Sequence, residues 1–478
     1  MDLKIGAWGD MGDGSYRNPV LFADYSDPDC IRVGDDYWLI CSEFNFMGMP
    51  VLHSRDLVNW ELVNRVYTRL EGYDRIERYG EGSWAPALRF HDGVFYIYFC
   101  TPKDGLFMCR AENPRGEWSE PLCVSPTPGW EDPCPIWDDD GSAWLGRSRV
   151  GAGAIILHRM SPDGTRLLDE GRIIYEGPVA EGTKFYRHGG MYYLVIPEEG
   201  VPTGCETALR SRDILGPYER RVVLRQGDSW VNGPHQGALV DTPSGELWFL
   251  HFSSTGAAGR VVHLQPAAWK DGWPEIYGPV TRHKKPSLPV CGIRSPQTSD
   301  DFSSPRLGWQ WQWNHNPDDS LWSLTERPGS LRLTGTAQTD VMKMPNVLTQ
   351  RLTGACGLVR VRLDMSSAAE GQAAGIMLMG RQSYAVSAVK NGGCLTVGEK
   401  TVEGCELTLQ LSMQYFTEVH SALLPPDGSP PVELGSGFMT PCVWKGSRIA
   451  LFTGGGEGKV YFGDFTYIHD GPNGGAKQ

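Results

Sequence analysis

Hydrophobic and polar positions recur in a single pattern, met five times before residue 260. Each copy has a polar or carboxylate-bearing opening, a few apolar residues and a turn rich in Asp and Gly. An aromatic pair then runs into an aliphatic strand. The turn-then-aromatic halves are Gly-Asp-Asp-Tyr-Trp38-Leu, His-Asp-Gly-Val-Phe-Tyr96-Ile, Asp-Asp-Gly-Ser-Ala-Trp144-Leu, His-Gly-Gly-Met-Tyr-Tyr193-Leu and Ser-Gly-Glu-Leu-Trp-Phe249-Leu. These anchors lie 58, 48, 49 and 56 residues apart, periods that suit units of four short strands. Five copies predict an all-β domain, a five-bladed β-propeller, over residues 1–290. Within it Arg17-Asn-Pro-Val20 is expected as an edge strand closing the ring, and the polar run Arg75 to Gly82 as a loop over the pocket mouth.

The pattern stops after the strand–turn–strand of residues 261–278, and 291–299 reads as a linker. Short alternating runs such as Leu358-Val-Arg-Val-Arg-Leu and Lys459-Val-Tyr-Phe then predict antiparallel strands with one buried face, hence a β-sandwich over 300–470. Gly471 to Gln478 reads as a frayed tail.

The residues that open the copies carry the chemistry. Asp27, Trp84, Asp132, Glu181 and His235 stand 11, 12, 12, 12 and 14 residues before their anchors. In a propeller, equivalent positions converge at one end of the axis, so three carboxylates are expected in one pocket. Two carboxyls facing each other are the minimal equipment for glycoside hydrolysis, one as acid and one as base for water. A third, by like-charge repulsion, keeps the acid protonated near neutral pH. Trp84 is a candidate sugar platform, and Phe46, His235 and Arg260 are further candidate substrate contacts.

Composition narrows the partners. A formal charge of −13 without clustered Lys and Arg argues against nucleic acid. No run of 18 apolar residues offers a membrane span. The twelve cysteines show neither Cys-x-x-Cys pairs nor zinc spacing, which reads as reduced thiols in a cytoplasmic protein. The 17 Trp, 18 Tyr and 16 Phe suit both strands and sugar-stacking surfaces. The expected partner is a small oligosaccharide, with further copies of the chain if it forms a homo-oligomer.

The opening motifs, Ser-Asp27-Pro-Asp with Ile-Arg-Val-Gly-Asp-Asp-Tyr-Trp, Trp84-Ala-Pro, Asp132-Pro with Trp-Asp-Asp-Asp-Gly, and Glu181-Gly with Phe-Tyr-Arg-His-Gly-Gly-Met-Tyr-Tyr-Leu, resemble those of glycoside hydrolase family 43. That is the β-xylosidase and α-L-arabinofuranosidase type. The resemblance implies Asp27 as general base, Glu181 as general acid and Asp132 as the residue modulating the acid's pKa. His235 and Arg260 match family positions near the pocket floor. It implies an inverting exo-enzyme releasing xylose from xylo-oligosaccharides, with an arabinofuranosidase as the alternative. A non-catalytic carbohydrate-binding propeller is the alternative from another class. No cofactor is required, but a calcium ion is implied in the axial channel, met by His235 through water. Asp-Asp-Phe302, Trp311-Gln-Trp-Asn-His-Asn-Pro and Trp322-Ser-Leu-Thr-Glu-Arg-Pro-Gly resemble the concanavalin-like sandwich that follows the propeller in exo-acting members. Gly-Thr-Lys184 after Glu181 departs from the commoner Gly-Pro-His, and Ser-Asp-Pro-Asp from Ala-Asp-Pro-Ser. These changes bear on substrate preference.

Overall fold

The computed structural model describes residues 8–74, 80–201, 203–414, 417–442 and 444–472. Most of the expected loop from Arg75 to Gly82, and all but the start of the tail, lie outside them.

The aromatic anchors occupy the second strand of five four-stranded antiparallel sheets. The first sheet comprises Asp29–Val33, Asp36–Ile40, Pro50–Ser54 and Glu61–Arg65, and the others begin with Trp84–His91, Trp130–Trp137, Lys184–His188 and His235–Asp241. Second strands such as Val94–Thr101 are buried along almost their whole length, because each sheet is covered on both faces. The turns do what their sequences ask: Asp92 and Gly93 both take positive φ (48° and 81°), as a two-residue hairpin requires. First strands pack on one another in sequence from the first sheet to the fourth, and His235–Asp241 returns against Asp29–Val33.

Residues 17–20 differ from expectation. Ser15–Arg17 pairs with Gly9–Asp10 and Arg282–Lys284 in a separate three-stranded sheet, and Leu21 makes only an isolated bridge to Val262. Pro19 has no N–H to donate to a ladder, and every four-stranded sheet is already complete from contiguous chain.

Two seven-stranded antiparallel sheets follow, built from Gln312–Trp313 onward and closing with Lys459–His469. They enclose an apolar core that includes Trp311, Val361, Ile376, Leu409, Leu451 and Phe462. Met47 and Ala257, from the region of the four-stranded sheets, join that same core. Charge ties the two parts further: buried Glu43 pairs with Arg351 at 2.7 Å and lies near Arg65 and Arg448. Burial alone would raise the Glu43 carboxyl, but these guanidinium groups hold it below the ordinary range.

Candidate active site

All five openings reach one cavity of about 410 Å³, where Asp27, Trp84, Asp132, Glu181, His235 and Arg260 meet. A local backbone feature aims them. Asp27, Ala85, Asp132, Gly182 and Gln236 all have positive φ, between 41° and 63°. The strand register also shifts around this point in the second, third and fifth sheets. Such bulges re-aim side chains, and the non-glycine residues hold a conformation that needs support from their surroundings.

This feature corrects the sequence alignment by one residue. Asp27 and Asp132 are equivalent to Ala85, Gly182 and Gln236, whereas Glu181 is equivalent to Trp84, His235 and Glu131. Glu131, absent from the sequence reading, lines the cavity beside the three expected carboxylates. Its only advance signal is the doublet Glu-Asp-Pro, which is indistinguishable from turn chemistry until the bulge is seen.

The carboxyls differ in environment. Asp27 is buried and accepts hydrogen bonds from Ser42 Oγ (2.5 Å) and Arg260 Nη1 (2.9 Å). Arg260 is set by its own backbone N–H, which donates to Asp24, and its guanidinium lies over the Phe252 ring. Asp132 accepts from Ser148 Oγ, from the Gly182 N–H at 2.8 Å and from Gln236 Nε2 at 3.2 Å. Glu181 Oε1 shares a 2.9 Å hydrogen bond with His235 Nε2.

One oxygen each from Glu131, Asp132 and Glu181 lie within 4.8 Å of one another. Burial, then the charge of Glu181, pushes Asp132 up to about 6. Burial, then Asp132 and Glu181, pushes Glu131 up to about 8. The group therefore holds a proton at neutral pH. A stability consequence follows for Glu131. The folded chain keeps a proton that the unfolded chain releases near the ordinary value of 4.5, so stability falls as pH rises from there to about 8. Glu131→Gln is expected to melt with the parent chain at about pH 4 and above it at about pH 8. Paired thermal melts check this, and identical curves at both pH values would remove the assignment.

Phe46 is corrected. It is 1% exposed, within the apolar cluster of the first two sheets, and does not line the cavity. Phe44 does, edge-on to Trp84 with centroids 6.0 Å apart. Between the second and third strands of the first sheet the chain turns, so one aromatic faces the cavity while the other goes into the core.

A further missed residue, Trp444, comes from the sandwich. It stands at the cavity with 58% of its surface exposed. Its loop is fastened to the four-stranded sheets: Lys445 Nζ donates to Asn45 Oδ1 (2.6 Å) and the Ser447 N–H to Ala257 O (2.7 Å). Gly446 packs so closely that an added Cβ would lie 2.8 Å from the Ala258 backbone. Nothing in the sequence around Trp444 indicates which surface it reaches.

The residues around the axis do not fit the calcium implied by the resemblance. Calcium takes six to eight oxygen ligands. His235 offers a buried Nδ1 nitrogen, Glu206, Asp29 and Thr183 together offer four unpartnered buried oxygens, short of that number, and two cationic side chains, Lys184 and Arg89, stand among the first strands.

Carboxyls of contrasting environment, an arginine and a tryptophan converging on one sugar-sized cavity define the class, a glycoside hydrolase. Residues 16–274 match the model of glycosyl hydrolases family 43, and 299–420 match the beta xylosidase C-terminal concanavalin A-like domain. The chain belongs to glycoside hydrolase family 43. It is 46% identical over 470 residues to a Xylanibacter ruminicola protein that carries a provisional β-xylosidase name, covering 95% of this chain and 89% of that one. It is 34% identical over 367 residues to a non-reducing end α-L-arabinofuranosidase of Bacteroides ovatus, covering 70% and 68%. The solved xylan β-1,4-xylosidase of Bacillus halodurans superposes with a TM-score of 0.82 at 25% identity, covering 94% of this chain and 99% of that one.

Proposed function

We propose that the chain is an inverting exo-β-xylosidase that removes terminal xylose from short xylo-oligosaccharides. The observation that carries this reading is the cavity itself, lined by Asp27, Asp132 and Glu181 and met on one side by Trp444 of the sandwich. A five-bladed propeller over residues 1–290 is part of this reading, supported by first strands that pack in sequence and by the return of His235–Asp241 to Asp29–Val33. The segment 291–299 then links it to a sandwich of 300–470.

Asp27 is the base. Arg260 and Ser42 hold its carboxyl in place, and as base it takes a proton from water. Glu181, hydrogen-bonded to His235, protonates the departing glycosidic oxygen, and Asp132 orients that end of the cavity through Gly182 and Gln236. The crowded Glu131–Asp132–Glu181 group supplies the retained proton. Trp84 and Phe44 form an aromatic wall for the sugar. A wall at the rim admits chain ends and excludes a threading polymer, and Trp444 supplies one.

The stereochemistry is open to direct measurement. Inversion needs room for a water between base and acid, about 6.5–9.5 Å between the carboxyls of Asp27 and Glu181. Proton NMR of the first seconds of nitrophenyl β-xyloside hydrolysis, where the only sugar released comes from the glycosyl side, is expected to show α-xylose first. First-formed β-xylose would refute inversion.

The α-L-arabinofuranosidase reading is the second one, supported by the similarity to the Bacteroides ovatus enzyme. Initial rates on nitrophenyl β-xyloside and α-arabinofuranoside, compared side by side, decide between them. Faster turnover of the xyloside is expected.

A further inference from the structure

Beneath the carboxylates, the first strands are joined by two cationic side chains that the catalytic reading does not use. Lys184 opens the first strand of the fourth sheet and is completely buried. Its Nζ donates to Pro86 O at 3.2 Å, on the first strand of the second sheet. Those sheets are not neighbours in the sequence of packing, so this side chain crosses the middle of the assembly. It stands two residues after Gly182, whose N–H donates to Asp132 at 2.8 Å, and lies within Coulombic reach of Asp132 and of the buried carboxyl of Glu206.

Arg89 makes a second crossing. Its Nη1 donates to Asp29 of the first sheet at 2.7 Å, and its Nη2 to Cys134 Sγ of the third at 2.9 Å. The guanidinium lies 5.9 Å from the ring centre of Tyr186 in the fourth sheet, whose hydroxyl accepts from the Leu239 N–H of the fifth at 3.0 Å. One guanidinium and its immediate contacts thus involve all five first strands.

We propose that Lys184 and Arg89 are this chain's own axial cations, standing where the resemblance expects calcium, and that Lys184 is a positioning residue for the Asp132–Glu181 end of the cavity. The carboxylates that a divalent cation would need there are already engaged, Asp29 by its 2.7 Å ion pair with Arg89, and Asp132 and Glu206 by the field of Lys184. A primary ammonium with three donors does the bridging itself: one proton goes to the Pro86 carbonyl, and its charge stabilises the carboxylate form of Asp132 from beneath. The sequence change Gly-Thr-Lys is then the covalent form of the cation.

The test separates the metal question from the catalytic one, because the positioning role rests on the proposed function and the metal question does not. The full-length chain, equilibrated with calcium chloride and desalted, is expected to carry far less than one calcium per chain by elemental analysis. It should also melt at the same temperature in calcium and in EDTA. Stoichiometric calcium, or a melting temperature lowered by EDTA, would overturn the built-in cation. Lys184→Met keeps the length and removes the charge. It is expected to melt several degrees lower and to lose about tenfold in kcat with KM nearly unchanged, a split that marks an interaction made in the transition state. Wild-type kcat in that variant, or a loss carried only by KM, would overturn the positioning role. If the variant does not fold, the calcium measurements on the unaltered chain still decide whether the axis holds a metal.

Discussion

Asp27→Asn is expected to lower kcat on nitrophenyl β-xyloside by about three to four orders of magnitude, the upper range for loss of a general base. Asparagine keeps the shape and still offers one oxygen to Arg260 or Ser42, but its amide nitrogen cannot take a proton from water. The backbone favours the substitution, because position 27 has φ of 54° and asparagine is among the residues that adopt that region most readily. The variant should therefore melt near the parent temperature while turnover collapses. If it kept a tenth or more of the parent kcat, Asp27 could not be the base.

Glu181→Gln is expected to show a loss that depends on the leaving group. On xylobiose the departing oxygen is a poor leaving group that needs a proton, so kcat should fall by about two to four orders of magnitude. On an aryl xyloside with an acidic phenol the departing oxygen carries its own charge, and the loss should be much smaller. Glutamine retains an oxygen to accept from His235, so the geometry of the 2.9 Å contact can persist without the acid. Comparing kcat of parent and variant across phenols of graded acidity measures the effect. A loss equal for xylobiose and the most acidic phenol would assign Glu181 some role other than proton donor.

Both predictions rest on residues readable in the chain before any fold is known. The sequence by itself determined that there are five units, because a repeated turn and aromatic anchor are local facts. Gly and Asp set the turns, and the anchors land on the second strand of each sheet. It also determined the change at residue 300 to strands with one buried face, since alternation reports burial on one side only. Asp27, Asp132 and Glu181 were legible because they recur at nearly constant distance from those anchors.

Tertiary structure decided what depends on a one-residue register or on contact between distant segments. The bulge that gives Asp132 a φ of 53° brings Glu131 alongside it, and spacing from an anchor cannot distinguish neighbours one residue apart. Phe44 faces the cavity and Phe46 the core because the chain turns between two strands, where period-two reasoning has no force. Trp444 reaches the cavity from 417 residues beyond Asp27 only because the sandwich packs on the four-stranded sheets through Glu43, Lys445 and Gly446. Arg89 reads as an ordinary strand residue, and Lys184 as a departure bearing on substrate preference, until the sheets enclose them. Local pattern fixes which face a residue presents, whereas what lies opposite that face is set by where distant parts of the chain meet.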